Sequence, residues 1–295
     1  MGIYSRLGFF VNCVSQFQDN KLSKEQTDTY AALSTYIAFL GIIAHLSPNI
    51  TRSNGHLAMK IATNIHVIPG VTAHPYLLVD PDGLTLIDTG IPGSANKILR
   101  YIKRMGYSHK DLNRILLTHA DYDHAGSLAA LKKATGARVH ASVYEARAVA
   151  NGQFPRSLKT DNALLKPVFT LAERLGRISP AHVDEHICDG QVLPVLNGLH
   201  VVDTKGHTPG HLSFFAPSVG ILFSGDSILS MKDRLVGSHG SVTWDQDQAD
   251  ASVLRQWALK ARIICSGHGA VVMDGLARLM NLAEVLTLVP AYQRL

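Results

Sequence analysis

Ile115-Leu116-Leu117-Thr118-His119-Ala120-Asp121-Tyr122-Asp123-His124-Ala125 runs from an apolar stretch into a helix-like one through a dense set of metal-ligand side chains. Two imidazoles and two carboxylates fall within the six residues His119 to His124. They lie on the turn between a buried strand and a helix, and open α/β sheets place their sites at that end of a strand. Neutral imidazole and carboxylate both suit Zn²⁺, and carboxylate also suits harder ions such as Mn²⁺ or iron. In an extended loop, residues two apart point the same way. His119 and Asp121 can therefore share one ion, and the adjacent Asp123 and His124 can turn toward a second. The plain alternative is a polar turn with chance histidines.

Three later segments repeat the arrangement. Gly206-His207-Thr208-Pro209-Gly210-His211 follows the strand-like Leu199-His200-Val201-Val202-Asp203. Gly225-Asp226 ends the apolar run Gly220-Ile221-Leu222-Phe223-Ser224, and Gly267-His268-Gly269 follows Ala261-Arg262-Ile263-Ile264-Cys265. Each puts a ligand-type residue just past a buried strand and beside a glycine, which allows tight turns and close backbone approach. One such pair is weak evidence, since turns favour these residues anyway. Recurrence at four strand ends is strong evidence.

On these motifs the chain resembles the metallo-β-lactamase-fold hydrolases over about residues 60 to 275, including Leu86-Ile87-Asp88-Thr89-Gly90. The resemblance implies a four-layer αββα sandwich with a two-metal site at one edge of the sheets. Matched by position, His119, Asp121 and His207 would hold a first metal. Asp123, His124 and His268 would hold a second, and Asp226 would bridge the two. Asp88 and His211 resemble residues that orient ligands by hydrogen bonds. The family's commonest motif has His where this chain has Asp121, a shorter, harder, anionic ligand that favours harder metals. Two divalent ions are expected, Zn²⁺ first, with Mn²⁺ or iron as alternatives.

Metal stabilises hydroxide, so bound water loses a proton near neutral pH. The expected chemistry is hydrolysis by direct water attack, with Asp123 accepting a hydrogen bond from the nucleophile and no serine or cysteine nucleophile. The bridging Asp226 argues against β-lactam hydrolysis as the main activity. The glyoxalase II, lactonase and phosphodiesterase branches are more similar. Homoserine lactonases usually carry Tyr three residues beyond the bridging Asp, where Leu229 stands here. The roughly 25 residues after His268 are too few for a glutathione-binding domain. An ester, thioester or lactone is the expected substrate class. The alternatives are phosphodiester hydrolysis, iron redox chemistry on the same fold, which has a carboxylate at the position of Asp121 in flavodiiron proteins, and a non-catalytic binding module.

The 295 residues suffice for one large α/β domain plus an appendage, with 46% apolar residues for a substantial core. Net charge is +5, but the basic residues are scattered, so a small-molecule substrate is expected and nucleic acid is not. Cys13, Cys188 and Cys265 are odd in number with no CxxC spacing, which predicts reduced thiols and a cytoplasmic setting.

The domain is expected over residues 59–295, preceded by an extension, 1–58, that does not resemble the family. Within it, Ala31 to Leu46 is nearly apolar but, at 16 residues, falls short of the ~18–20 of a membrane span. Three roles fit: a helix packed on the domain or on a second copy in a homodimer, a weak membrane anchor, or a segment preceding a true start at Met59. Ser47 to Gly55 reads as a linker.

Elsewhere, Asn64–Ile68 and Pro75–Val79 read as paired strands, with a Pro81-Asp82-Gly83 turn into Leu84–Ile87. Ser94 is placed to cap a helix with Ile98, Leu99, Ile102 and Met105 on its apolar face. Ala137–Ala141 reads as a strand, Asp247–Ala261 as a helix and Gly275–Leu288 as a closing helix. Residues 143–180 read as mostly helical, with Leu164, Leu165, Val168, Leu171 and Leu175 at core spacing. Tyr144, Phe154, Arg156, Lys232, Arg234, His239 and Trp244 lie in the stretches that would shape a pocket, though each reads by default as surface or packing.

Overall fold

Apolar residues alternate sides along nearly every strand, and that alternation builds two sheets with three separate cores. The computed structural model describes residues 59–157, 166–175, 177–231 and 234–288. The first sheet holds β1 (Met59–Ala62), β2 (Ile65–Val67), β3 (Tyr76–Asp80), β4 (Gly83–Ile87), β5 (Leu112–Leu116), β6 (Arg138–Ala141) and β7 (Glu185–His186), in that order. Hairpins make β1 to β4 antiparallel. From β4 to β7 the strands run parallel. Parallel neighbours need crossovers. These are supplied by α1 (Ala95–Arg104), α2 (Tyr122–Ala125) with α3 (Leu128–Thr135), and α4 (Val143–Asn151) with α5 (Lys166–Leu175).

The second sheet contains β8 (Val192–Leu193), β9 (Leu199–Asp203), β10 (Leu212–Ala216), β11 (Ile221–Gly225) and β14 (Ile263–Ser266), with β14 at one edge beside β11. A hairpin, β12 (Ile228–Met231) and β13 (Arg234–Gly237), stands apart. Helix α6 (Gln246–Ala258) carries the chain to β14, which pairs parallel to β11, and α7 (Gly275–Leu288) follows.

Successive strand side chains point to opposite faces, and the cores follow this rule. Leu78, Ile87 and Leu116 face Val201, Phe214 and Phe223 between the sheets. Their sequence neighbours Leu77, Leu86 and Ile115 pack outward with Ile98, Ile102, Leu131 and Val149 of the helices. On the other side, Val202, Phe215, Leu222 and Ile264 pack with Val253 and Leu279. The order is helix, sheet, sheet, helix, the expected four-layer αββα sandwich. It puts the ends of β4, β5, β11 and β14, where the chain leaves each strand, at one edge.

The paired strands, the Pro81-Asp82-Gly83 turn, the helix before β14 and the closing helix stand where the sequence places them. Ser94 is the N-cap residue of α1, but its side chain makes no capping bond. Instead Ser127 Oγ accepts from the N–H groups of Ser94 and Ala95 (2.9 and 3.2 Å), so a residue beyond the ligand loop caps the helix. Leu171, at core spacing in the sequence, is exposed on α5. Leu164, Leu165, the apolar stretch 31–46, the linker 47–58 and Cys13 lie outside the described residues. Cys188 and Cys265 form no disulfide. Among the described residues no helix is long and apolar enough to cross a membrane.

Phe214 is fully buried between the sheets. Phe214→Ala is expected to destabilise the protein by roughly 3–5 kcal/mol through lost burial and a residual cavity. Denaturant unfolding followed by circular dichroism measures this.

Candidate functional site

The ligand loop begins where β5 ends. Asp121 has extended backbone angles, and its carbonyl accepts from the N–H groups of His124 and Ala125 (both 2.9 Å), which starts the short helix α2. Asp is a favoured capping residue because its carboxylate can take a backbone N–H. Here the carboxylate makes no such bond, and the side chain is committed elsewhere. The turn buries His119, Asp121, Asp123 and His124 completely.

Tertiary partners then fix each ring. Asp88, at the end of β4, has φ +58°, a left-handed conformation that Asp tolerates better than most residues. Its carboxylate accepts from Thr118 N (2.9 Å), Thr118 Oγ1 (2.8 Å) and His124 Nδ1 (2.8 Å). Thr118 Oγ1 also contacts His119 Nδ1 at 2.9 Å. Because the hydroxyl proton goes to Asp88, the His119 Nδ1–H donates to this oxygen. The Nε2 atoms of His119 and His124 are thereby left facing inward. His207 Nδ1 is held by Ser238 Oγ (2.8 Å). His211 Nε2 accepts from Asp226 N (3.1 Å), so it orients the strand end that carries Asp226.

Glu145, fully buried on α4, joins the two histidine loops. Its carboxylate accepts from Ala120 N (2.8 Å), Thr208 Oγ1 (2.6 Å) and Gly210 N (3.1 Å). The spacing Ser142-x-x-Glu145 resembles a capping box, and Ser142 Oγ does accept from Glu145 N. The Glu145 carboxylate is instead diverted to the site. Gly267 lets the backbone of the last loop approach, since a Cβ there would collide with Asp226 Oδ1 and His124 Cε1.

All seven expected ligands converge. Their donor atoms form three overlapping groups: His119, Asp121 and His207; His119, His124 and Asp226; and Asp123, His124 and His268. In the last two, His124 Nε2 lies 3.3 Å from Asp226 Oδ1, and His268 Nε2 lies 3.1 Å from Asp123 Oδ2 and 3.4 Å from Asp226 Oδ2. Both Asp123 oxygens, His119 Nε2, His124 Nε2 and Asp226 Oδ1 are buried without a hydrogen bond. Buried polar atoms are rarely left so. Carboxylates and imidazoles turned inward in this way are, once the imidazoles lose their extra protons, the donors a divalent cation requires, so these residues fit a metal ion. The family's divalent metal thus has a donor set in this chain.

The first group differs. Arg156 Nη1 and Nη2 donate to Asp121 Oδ1 and Oδ2 (2.6 and 2.9 Å), a bidentate ion pair that is wholly buried. Burial works against ionisation of Asp121, but Arg156 and the His119 and His207 rings outweigh it and hold the carboxyl well below its usual range. His207 is pulled down to about 4 by burial and then by Arg156, so it is neutral at pH 7. His268 behaves oppositely. Burial lowers it, but Asp226 and Asp123 outweigh that and raise it to about 10. His124 is likewise raised, against burial, by Asp226 and Asp88.

Of the two expected orienting residues, Asp88 bonds to His124 Nδ1 and His211 to the Asp226 N–H. Of the pocket candidates, Arg156 reaches the centre, Tyr144 is exposed, and Trp244 donates its backbone N–H to the His207 carbonyl (3.0 Å). Lys232 lies outside the described residues. Sequence reading overlooked Glu145 and Ser238, and named Arg156 only as one pocket candidate among several that read by default as surface or packing. Only Glu145 left a signal, the capping-box spacing, and that signal points to another role.

Fold and site together define a hydrolase built around buried imidazole and carboxylate ligands. Residues 69–268 match the metallo-beta-lactamase superfamily, and the chain belongs to it. It is 26% identical over 236 residues to the probable metallo-hydrolase YflN of Bacillus subtilis, covering 75% of this chain and 89% of that one. It is 30% identical over 167 residues to a hydroxyacylglutathione hydrolase of Rhodobacter capsulatus, covering 56% of this chain and 51% of that protein. A solved Cronobacter sakazakii metallo-β-lactamase with a HARLDQ motif superposes with a TM-score of 0.60 at 24% identity, covering 78% of this chain and 92% of that one, which shows the shared fold.

Asp88→Asn would turn an amide N–H₂ toward groups that already donate. It is expected to weaken metal binding about 10–100-fold, with far-ultraviolet circular dichroism unchanged, as titration of the metal-free protein would measure. A second expectation concerns pH. Because His268 sits at about 10 without metal, it is protonated at pH 7, and a ligand must be neutral. Metal binding therefore expels protons and tightens as pH rises from 7 toward 10. Calorimetry in buffers of different ionisation enthalpy measures the protons released. No release at pH 7 would contradict this.

Proposed function

We propose that this chain hydrolyses an ester, thioester or lactone bond with a divalent cation held by Asp123, His124, His268 and Asp226. The observation that carries the reading is the convergence of ligand-type atoms in two overlapping triads, in which the buried Asp123 oxygens, His124 Nε2 and Asp226 Oδ1 make no hydrogen bond. A divalent ion held there would lower the pKa of an attached water toward neutrality and would polarise the acyl oxygen.

The side chains supply the rest. Asp123 offers two carboxylate oxygens, one of them 3.1 Å from His268 Nε2, and accepts the proton of the attacking water. His268 is the most exposed ligand, with 27% of its side chain accessible, so substrate approaches from its side. Asp226 is pinned through its own N–H by His211 and presents its carboxylate to both His124 and His268. Asp88 keeps the His124 ring from rotating. Thioester hydrolysis draws support from the relatives named hydroxyacylglutathione hydrolase, of whose length this chain spans about half. The ester and lactone options share the same acyl carbon chemistry. Zinc is the metal proposed for the group of Asp123, His124, His268 and Asp226, since its two imidazoles and two carboxylates both suit it.

Asp226→Ala and His124→Ala are each expected to lower metal content and to cut kcat/KM by more than about 100-fold, assayed on a panel of thioesters, lactones and aryl esters. Full activity in either variant would refute the assignment. Faster turnover of a phosphodiester than of any acyl substrate would overturn the substrate class.

A further inference from the structure

We infer that Arg156 takes the place of one metal ion in this centre, so that a single divalent ion is bound, in the group of Asp123, His124, His268 and Asp226. The inference rests on the metal-dependent reading above and concerns what the His119, Asp121 and His207 group holds.

The geometry is that of a filled site. Both oxygens of Asp121 accept from the guanidinium, at 2.6 and 2.9 Å. Planar, two-pronged pairing of this kind is the strongest way Arg holds a carboxylate. Nη2 also lies 3.4 Å from His207 Nε2, the nitrogen that would have to bind an ion. An ion placed here would share its only carboxylate within the group with a fixed positive charge and would face that charge at contact distance.

The arginine cannot readily withdraw. Its Nε donates to Val242 O (2.9 Å), and only 1% of its side chain is accessible. Displacing it from Asp121 would leave a buried cation without its partner, which is strongly unfavourable. The second group contains no arginine among the described residues that contact it. Its carboxylates have imidazoles at 3.1–3.4 Å, with Arg156 only adding a longer-range attraction at Asp226, and imidazoles lose a proton to make way for metal, whereas a guanidinium does not.

This gives Asp121 a purpose distinct from ligation. A histidine at that position would offer an arginine no carboxylate. Asp accepts the bidentate contact and anchors a permanent positive charge beside the reacting groups. Arg156 is thus a positioning residue, acting through Asp121 and His207.

The full chain is stripped of metal with chelator, equilibrated with excess Zn²⁺, desalted and assayed for zinc by mass spectrometry. About one ion per chain is expected for the wild type, rising about twofold in Arg156→Ala as the first group opens. In parallel, the wild type loaded with Mn²⁺ is expected to give the electron paramagnetic resonance hyperfine pattern of an isolated ion. Two zinc ions per wild-type chain, or a spin-coupled Mn²⁺ pair, would overturn the inference while leaving the hydrolase reading intact. One ion in both proteins would show that Arg156 is not what excludes the second. Zinc in neither would overturn the metal-centre reading and this inference with it. Should Arg156→Ala fail to fold, Arg156→Gln replaces it, and the wild-type resonance spectrum still decides.

Discussion

Positive charge must meet the carboxylates gathered at one edge of the sandwich, and the rest of the site is arranged around that requirement. Asp88, Asp121, Asp123 and Asp226 are all buried. An isolated carboxylate cannot stay ionised in such surroundings without a partner. Asp121 finds a permanent cation in Arg156. Asp123 and Asp226 raise the affinity of His268 for a proton, and Asp226 and Asp88 do the same for His124. The proton is the replaceable partner. A centre whose metal-free state holds protons on its ligands is ready to exchange them for a cation, and so couples metal binding to pH.

Backbone connections make this charge density sustainable. Asp88 holds Thr118 and His124, Glu145 fastens the His119 loop to the His207 loop, and Tyr76 Oη donates to Ser266 O (2.7 Å) beneath the last ligand. The contacts tie together loops and strand ends that the two sheets bring to one edge, with Glu145 reaching in from α4. The inter-sheet core of Leu78, Ile87, Phe214 and Phe223 therefore does more than stabilise the protein. It sets the separation of the two halves of the site, because His119 and His124 come from the first sheet and His207, Asp226 and His268 from the second.

Within the superfamily, the two halves of the centre here have different characters. The half built on Asp123, His124, His268 and Asp226 pairs carboxylates with imidazoles, whose protons a cation can replace. The half built on Asp121 is closed by an ion pair. In the proposed reaction, this asymmetry separates the part of the site that would activate water from the part that supplies fixed charge. It also makes Asp121 and Arg156 a unit, since neither side chain has a reason to be buried there without the other.

Much of this was legible in the sequence. The periodicity of Leu77-Leu78, Leu86-Ile87 and Ile115-Leu116 predicts strands buried on both faces. Ligand-type residues after four such strands predict one shared site, because strand ends at one edge of a sheet are neighbours. The resemblance to the family, matched by position, points to the seven residues that converge and to Asp88 and His211 beside them. Arg156, Glu145 and Ser127 do not, because their partners lie 25 to 35 residues away and no local pattern encodes such a contact. A sequence states which donors and acceptors a loop carries. Which of them are already taken is settled only when distant segments pack, and here that packing gave Asp121 to an arginine.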